Sequence, residues 1–197
     1  MKAKTILTNP NETELESAVQ ENLFALFRSM ELIPGCVLIE DESLGLHYSP
    51  ISNPMFRGAW KTRFAGEETE SKIDEVLEWF NQRQASDFFW WTDPLTQPVD
   101  LVERLMRRGF DGNIEGESGM VAHLHEVTDA MQPPAGFTMV QATELQTLSD
   151  WSATLSEAFN MPPSAGQAWV DATPWFCPNR QVLSAYTSVY QKRWMPY

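Results

Sequence analysis

The run Phe88-Phe-Trp-Trp91 sets four aromatic residues in consecutive positions and then stops at Thr92-Asp93-Pro94. Side chains alternate across a strand, so four rings in a row load both of its faces, and both faces then need cover. Helical patterns lie on either side of the run. We therefore expect a central strand with helices on both faces, most of its rings in the core, and an α/β fold.

The flanking patterns are readable. From Asn11 to Met30, the residues Leu15, Val19, Leu23, Leu26, Phe27 and Met30 recur at helical spacing. Asn11 or Thr13 suits the cap, and Glu12, Glu14 and Glu16 suit the positive end of the helix dipole. Pro34-Gly35 breaks the chain, and two strands, Cys36 to Glu40 and Leu44 to Tyr48, flank the polar turn Asp41-Glu-Ser43. A third strand is expected over Met55 to Phe64. A helix opening at Ser71 or Asp74 carries the stripe Ile73, Val76, Leu77 and Phe80. Val99 to Arg108 is a further helix, with Gly109 as its left-handed cap, and Met30, Met106 and Met120 take core-like positions. Gly119 to Val127 reads as another strand.

Asp129 to Gly136, with Pro133-Pro134, is the expected linker. A strand over Phe137 to Val140 and a helix over Thr143 to Phe159 follow, with Thr143-Glu-Leu-Gln146 as a capping box. Gln167 to Ala172 reads as one or two more helical turns. The division is residues 1–130 and residues 131–197.

Composition narrows the partners. The chain has 197 residues, 43% of them hydrophobic, and a net charge of −13. That balance supports a packed core and opposes binding to a phosphate backbone, which needs neutralising Lys and Arg. A small neutral or cationic partner is easier to accept. Two cysteines, Cys36 and Cys177, are too few for a disulfide framework and point to the cytoplasm. No apolar run is long enough to span a membrane.

The element order, together with Met55-Phe-Arg-Gly-Ala-Trp60, Ile73-Asp-Glu-Val-Leu77, Phe89-Trp-Trp-Thr-Asp-Pro94, Asp100-Leu101 to Gly109-Phe110 and Gly119-Met-Val-Ala-His-Leu124, resembles the GNAT N-acetyltransferase superfamily. The closer likeness is to bacterial members with two tandem halves, and it covers residues 34–172. It implies a mixed, mostly antiparallel central sheet flanked by helices, followed by a partial second GNAT-like unit. It also implies acetyl transfer from acetyl-CoA to a small-molecule amine.

In that superfamily the coenzyme pyrophosphate sits on a loop of pattern Gln/Arg-x-x-Gly-x-Gly/Ala, between a splayed strand and a helix. The glycines let backbone N–H groups approach the phosphates. Here the corresponding stretch is Arg63-Phe-Ala-Gly-Glu-Glu68. Arg63 and Gly66 match, and are the cofactor-binding residues the resemblance implies. Glu68 stands where a small residue belongs, and Glu67, Glu68 and Glu70 would face an anionic ligand. The other reading is a strand-to-helix turn whose acids serve the helix end.

The second half offers no better loop. Gly166-Gln-Ala168 lacks the leading Gln or Arg, and the tail Phe176 to Tyr197 contains no glycine. That tail reads as a truncated or out-of-frame ending of an incomplete second domain, which would favour self-association. The expectation is thus a GNAT-like protein, catalytically weak or inactive, that does not hold acetyl-CoA tightly. The alternative is a non-catalytic module for a small ligand or a protein.

In the resembling fold the end of the aromatic strand borders the acceptor pocket, so Trp91 and Asp93 are the candidate substrate-binding residues. Asp93 either attracts an amine or caps the turn before Pro94, and the turn is favoured. His123 and His125 share a strand face without a convincing third metal ligand. His47 has no obvious partner. No catalytic residue is assigned.

Overall fold

The structure, a computed structural model, describes Leu7, residues 9–112, Val121 and residues 144–176. Helix α1 spans Glu12–Ser29. It starts where sequence places it, in a reciprocal cap: Glu14 N–H donates to Asn11 Oδ1 (3.0 Å) and Asn11 N–H to Glu14 Oε2 (2.9 Å). A 3-10 turn, Met30–Leu32, ends it. Gly35, at φ +81°, then turns the chain into strand β1, Val37–Glu40.

Strands β1 and β2 (Gly45–Tyr48) form an antiparallel hairpin. Its turn is held by Asp41, whose Oδ1 accepts from Ser43 N–H (2.7 Å) and Leu44 N–H (2.9 Å). The expected third strand is shorter than its pattern. Pro54–Phe56 is a 3-10 turn capped by the Asn53 side chain, and β3 is only Gly58–Trp60. Lys61, at φ +58°, ends it.

Helix α2 spans Thr69–Asn81 and starts earlier than Ser71. Strand β4, Phe89–Trp90, follows, and then α3, Leu101–Arg107, with Gly109 at φ +90° as the expected left-handed stop. Helices α4 (Leu145–Ala158) and α5 (Pro163–Phe176) complete the described chain. Glu144 is the N-cap of α4 and Gln146 Nε2 donates forward to Asp150, while Thr143 of the expected capping box lies outside the described residues. The α5 helix is also longer than the one or two turns expected. The expected strands over 119–127 and 137–140, the linker and the tail lie outside the described residues.

The protein is a mixed α/β structure, and its described residues form a four-stranded sheet in the order β1-β2-β3-β4, antiparallel except for the last, parallel pair. One face is covered by α1, through Phe24 and Phe27 on Trp60. The other is covered by α2, through Val76 and Phe80 on Leu46 and Ala59. Each such fully buried Val or Phe stabilises by about 1.5–3 kcal/mol. Met161, Ala165 and Ala168 pack on Met30, Ile33 and Phe56, which ties the α4–α5 pair to the end of α1.

Three expectations need correction. The aromatic strand, last in the described sheet, is not covered on both faces, since Phe89 is 43% exposed. The stripe on α1 is rotated: Phe24, Phe27 and Met30 are buried while Leu23 and Leu26 face solvent. Met106 is exposed as well, because Leu101 and Leu105 supply the buried side of α3.

Candidate functional site

The four candidate residues lie where β3 and β4 end. These strands run in register as Gly58 with Phe89 and Ala59 with Trp90, and Trp91 N–H still donates to Ala59 O (2.8 Å). Beyond that point the chains part. They meet again where Gln97 N–H donates to Thr62 O (3.0 Å) and Phe64 N–H to Gln97 O (3.0 Å). Thr92–Thr96 is the intervening loop on the β4 side.

Asp93 organises that loop. Its backbone N–H donates to Thr96 Oγ1 (2.8 Å), and its Oδ1 accepts from Leu95 N–H (2.8 Å). This is the turn that the Asp93-Pro94 pair favours. The same carboxylate takes Arg63: Nη2 donates to Oδ1 (2.8 Å) and Oδ2 (3.0 Å), while Nη1 donates to Thr62 O (2.8 Å). The Asp93 side chain keeps only 10% of its exposure, so the pair is largely out of water. Charge-assisted bonds of this kind are among the stronger ones a protein makes. Trp90 Nε1 donates to Thr62 Oγ1 (2.9 Å), which fixes the strand ends further.

Arg63 and Asp93 are therefore brought together, by each other. Gly66 sits in open space, where an added Cβ would meet nothing within 4 Å, so no close approach of backbone to backbone explains it. Trp91 turns toward α1: its ring lies 5.3 Å from that of Phe27 and 5.4 Å from that of Phe89. It belongs with the packing under α1, not with Arg63. The acids of the loop are split. Glu70 is drawn to α3 by Arg104 (2.7 Å) and Arg108 (2.7 Å), and these bonds, that of Arg108 first, hold its carboxyl below the usual range. Glu67 and Glu68 remain exposed beside the start of α2.

Two open grooves lie elsewhere. One, of about 570 Å³, runs along α2 past Asp74, Leu77, Glu78 and Phe88. The other, of about 270 Å³, is lined by Ile33 and Ile51 and by Ser164 and Ala168 of α5. Neither is lined by Arg63, Gly66, Trp91 or Asp93. Among the described residues no three His, Cys, Asp or Glu side chains gather as a metal site. His123 and His125 lie outside those residues. Among the described residues, no helix is long and apolar enough to cross a membrane.

Sequence reasoning missed a polar cluster under α1. His47 is buried to 1% exposure, and among the described residues both its ring nitrogens lack a hydrogen-bond partner, as do Trp60 Nε1 and Trp91 Nε1. Burial pushes the imidazole down to about 4. The available signal was the pair of motifs Gly45-Leu-His47 and Gly58-Ala-Trp60, which place a glycine opposite each ring when the strands pair.

Comparison with family models, with curated proteins and with solved structures finds no match to this chain. What the fold and the site define is a mixed α/β protein whose last two strands part around a salt-bridged loop.

Proposed function

We propose that this chain is a GNAT-like unit of N-acetyltransferase type whose acetyl-CoA seat is closed, so that it transfers acetyl groups to amines weakly or not at all. Two antiparallel pairs, then a crossover helix into a parallel strand, support the likeness. The stretch from Arg63 to Glu68 joins β3 to α2, as the pyrophosphate loop of that superfamily joins its strand and helix. Catalysis there rests on holding thioester and amine together and on backbone dipoles aimed at the developing oxyanion. Both need a seated donor.

The observation that carries the reading is the Arg63–Asp93 pair. Arg63 is the cation that the loop would offer a diphosphate, and it is already neutralised by a carboxylate inside the fold. A coenzyme has to break that pair and also meet Glu67 and Glu68. Each like-charge contact costs about 1–4 kcal/mol in water or a surface-like medium, and every ~1.4 kcal/mol is a factor of ten in affinity. Isothermal titration with acetyl-CoA tests the reading: no saturable heat is expected, and micromolar binding contradicts it.

One observation favours the alternative of a non-catalytic module. Val37 and Ile39 are exposed on β1, the outer strand of the described sheet, where a further chain can pair. A thermal-shift screen separates the readings: stabilisation by amines alone, without any response to CoA derivatives, favours binding without transfer.

A further inference from the structure

We propose that His47 is a proton-operated release for α1: protonating its imidazole lifts the helix from the sheet and uncovers the face that carries Trp60 and Trp91.

The geometry puts the ring between two surfaces. On one side Phe27 of α1 stacks on it, with centroids 5.2 Å apart and planes at 18°. On the other lies Gly58, its directly opposed partner on β3, where an added Cβ would come within 2.7 Å of the imidazole. A neutral ring fits this apolar slot. A charged one, with both N–H groups unpartnered, does not, because an unpaired buried charge is far costlier than a buried neutral group.

The charged groups on that face are occupied with one another. From α1 come Glu21 and Arg28, from β1 Glu40, and from the end of β3 Lys61. Arg28 donates to Glu40 (2.7 and 2.8 Å) and Glu21 (3.1 Å), and Lys61 donates to Glu40 (2.9 Å). The bonds from Arg28 and then Lys61 hold Glu40 below the usual carboxylate range. From β4 the face receives Phe89 and Trp91. Arg57 and Asp87 pair with each other, with Arg57 over Tyr48 on the opposite face.

Opening is directed to α1 by what holds each helix. Phe24 and Phe27 are the buried side chains through which α1 grips the sheet, while Met30 beyond it stays anchored with Ile33, Phe56 and Met161. The change from α-helix to 3-10 turn at Ser29–Met30 is the pivot, and the Arg28–Glu40 tether sits beside it. By contrast α2 buries Thr69, Ile73, Val76 and Phe80 and is bridged to α3 by Arg104 and Arg108. Lifting α1 also returns the indole nitrogens of Trp60 and Trp91 to water, which removes an existing penalty.

The sign follows from the depressed value. His47 falls from 6.5 to about 4 in the closed form, so closure is fully supported above 6.5 and weakens as pH drops toward 4. Complete protonation favours the open form by about 300-fold.

Amide hydrogen exchange across Glu12–Ser29, corrected for the intrinsic effect of pH, reads this directly. Between neutrality and pH ~4.5 the protection of α1 should fall by about 50–100-fold, and α1 should stay less protected than α2 throughout because it opens without the rest of the fold. His47→Phe keeps the ring and removes the titration, so α1 protection should then ignore pH; His47→Leu serves the same purpose if the larger ring does not fit. The proposal is overturned if wild-type α1 keeps its protection on acidification. It is also overturned if α1 is as well protected as α2 near neutrality, which would mean that it opens only with the whole fold, or if the non-titrating variant shows the same fall.

Discussion

The Trp60 indole lies across Gly45, its directly opposed partner on β2, so closely that an added Cβ would come within 2.3 Å of the ring. His47 makes the reciprocal arrangement two residues on, over Gly58 of β3. Two glycines thus make room for two rings, and α1 closes over both. Gly45→Ala and Gly58→Ala should each destabilise by about 1–3 kcal/mol, the usual cost of overpacking. Urea unfolding measures this, and an unchanged midpoint in both variants would mean that the rings have room to move.

Asp93→Asn keeps the shape of the turn and removes the charge that Arg63 answers. Bonds to charged groups contribute about 1.5–3 kcal/mol, and the loss should approach the lower value because Arg63 reaches some water. Exchange at Trp91–Gln97 should quicken along with the drop in unfolding free energy. A variant as stable as the wild type would show that the backbone bonds alone hold the loop.

Acid should weaken the whole fold in two stages. His47, depressed to about 4 by burial, contributes stability present above 6.5 and lost as pH falls from 6.5 to 4, up to about 3 kcal/mol. Glu40, depressed by Arg28 and then Lys61, contributes stability present above its unfolded value near 4.5 and lost below it. In unfolding free energy plotted against pH, Glu40→Gln should flatten the lower stage alone. Flattening of the upper stage would reassign it.

Gly166 faces Ser152 and Ser156 where α5 crosses α4, and a Cβ there meets both hydroxyls and the Ser152 carbonyl. Gly166→Val should separate the two helices and cost about 1–3 kcal/mol. Faster amide exchange through residues 145–171, with α2 unchanged, is the expected signature.

The ion pairs of Arg104 with Glu70, and of Arg108 with Glu70 and Asp74, link α3 to α2 at an exposed surface, and Arg104 also pairs with Asp100 at the start of α3 itself. Exposed pairs are screened by salt. Exchange in Leu101–Arg107 should therefore quicken in molar salt while the global unfolding midpoint barely moves. A large shift of that midpoint would mark the pairs as structural supports.

The local code was readable wherever one short-range interaction decides the outcome. Asn11 with Glu14, Asp41 in its turn and Gly109 at its stop all act within a few residues of themselves. Strand lengths were not readable from alternation, because Asn53 and Lys61 set the ends of β3 by a side-chain cap and a left-handed backbone. The exposed side of Phe89 was hidden for a similar reason: four rings in a row show that cover is wanted, not which strand lies next. At the site, Arg63 and Asp93 could each be picked out alone. Their pairing joins positions thirty apart through the parting of two parallel strands, and it emerges only once those strands are placed.

A titration of the isotopically labelled protein with acetyl-CoA, followed at the amide signals of Arg63 to Thr69 and the guanidinium signals of Arg63, probes the closed seat most directly. With Arg63 held by Asp93, those signals should stay where they are throughout. Saturable shifts at micromolar coenzyme, centred on Arg63 and Gly66, would show that the loop opens and seats the donor after all.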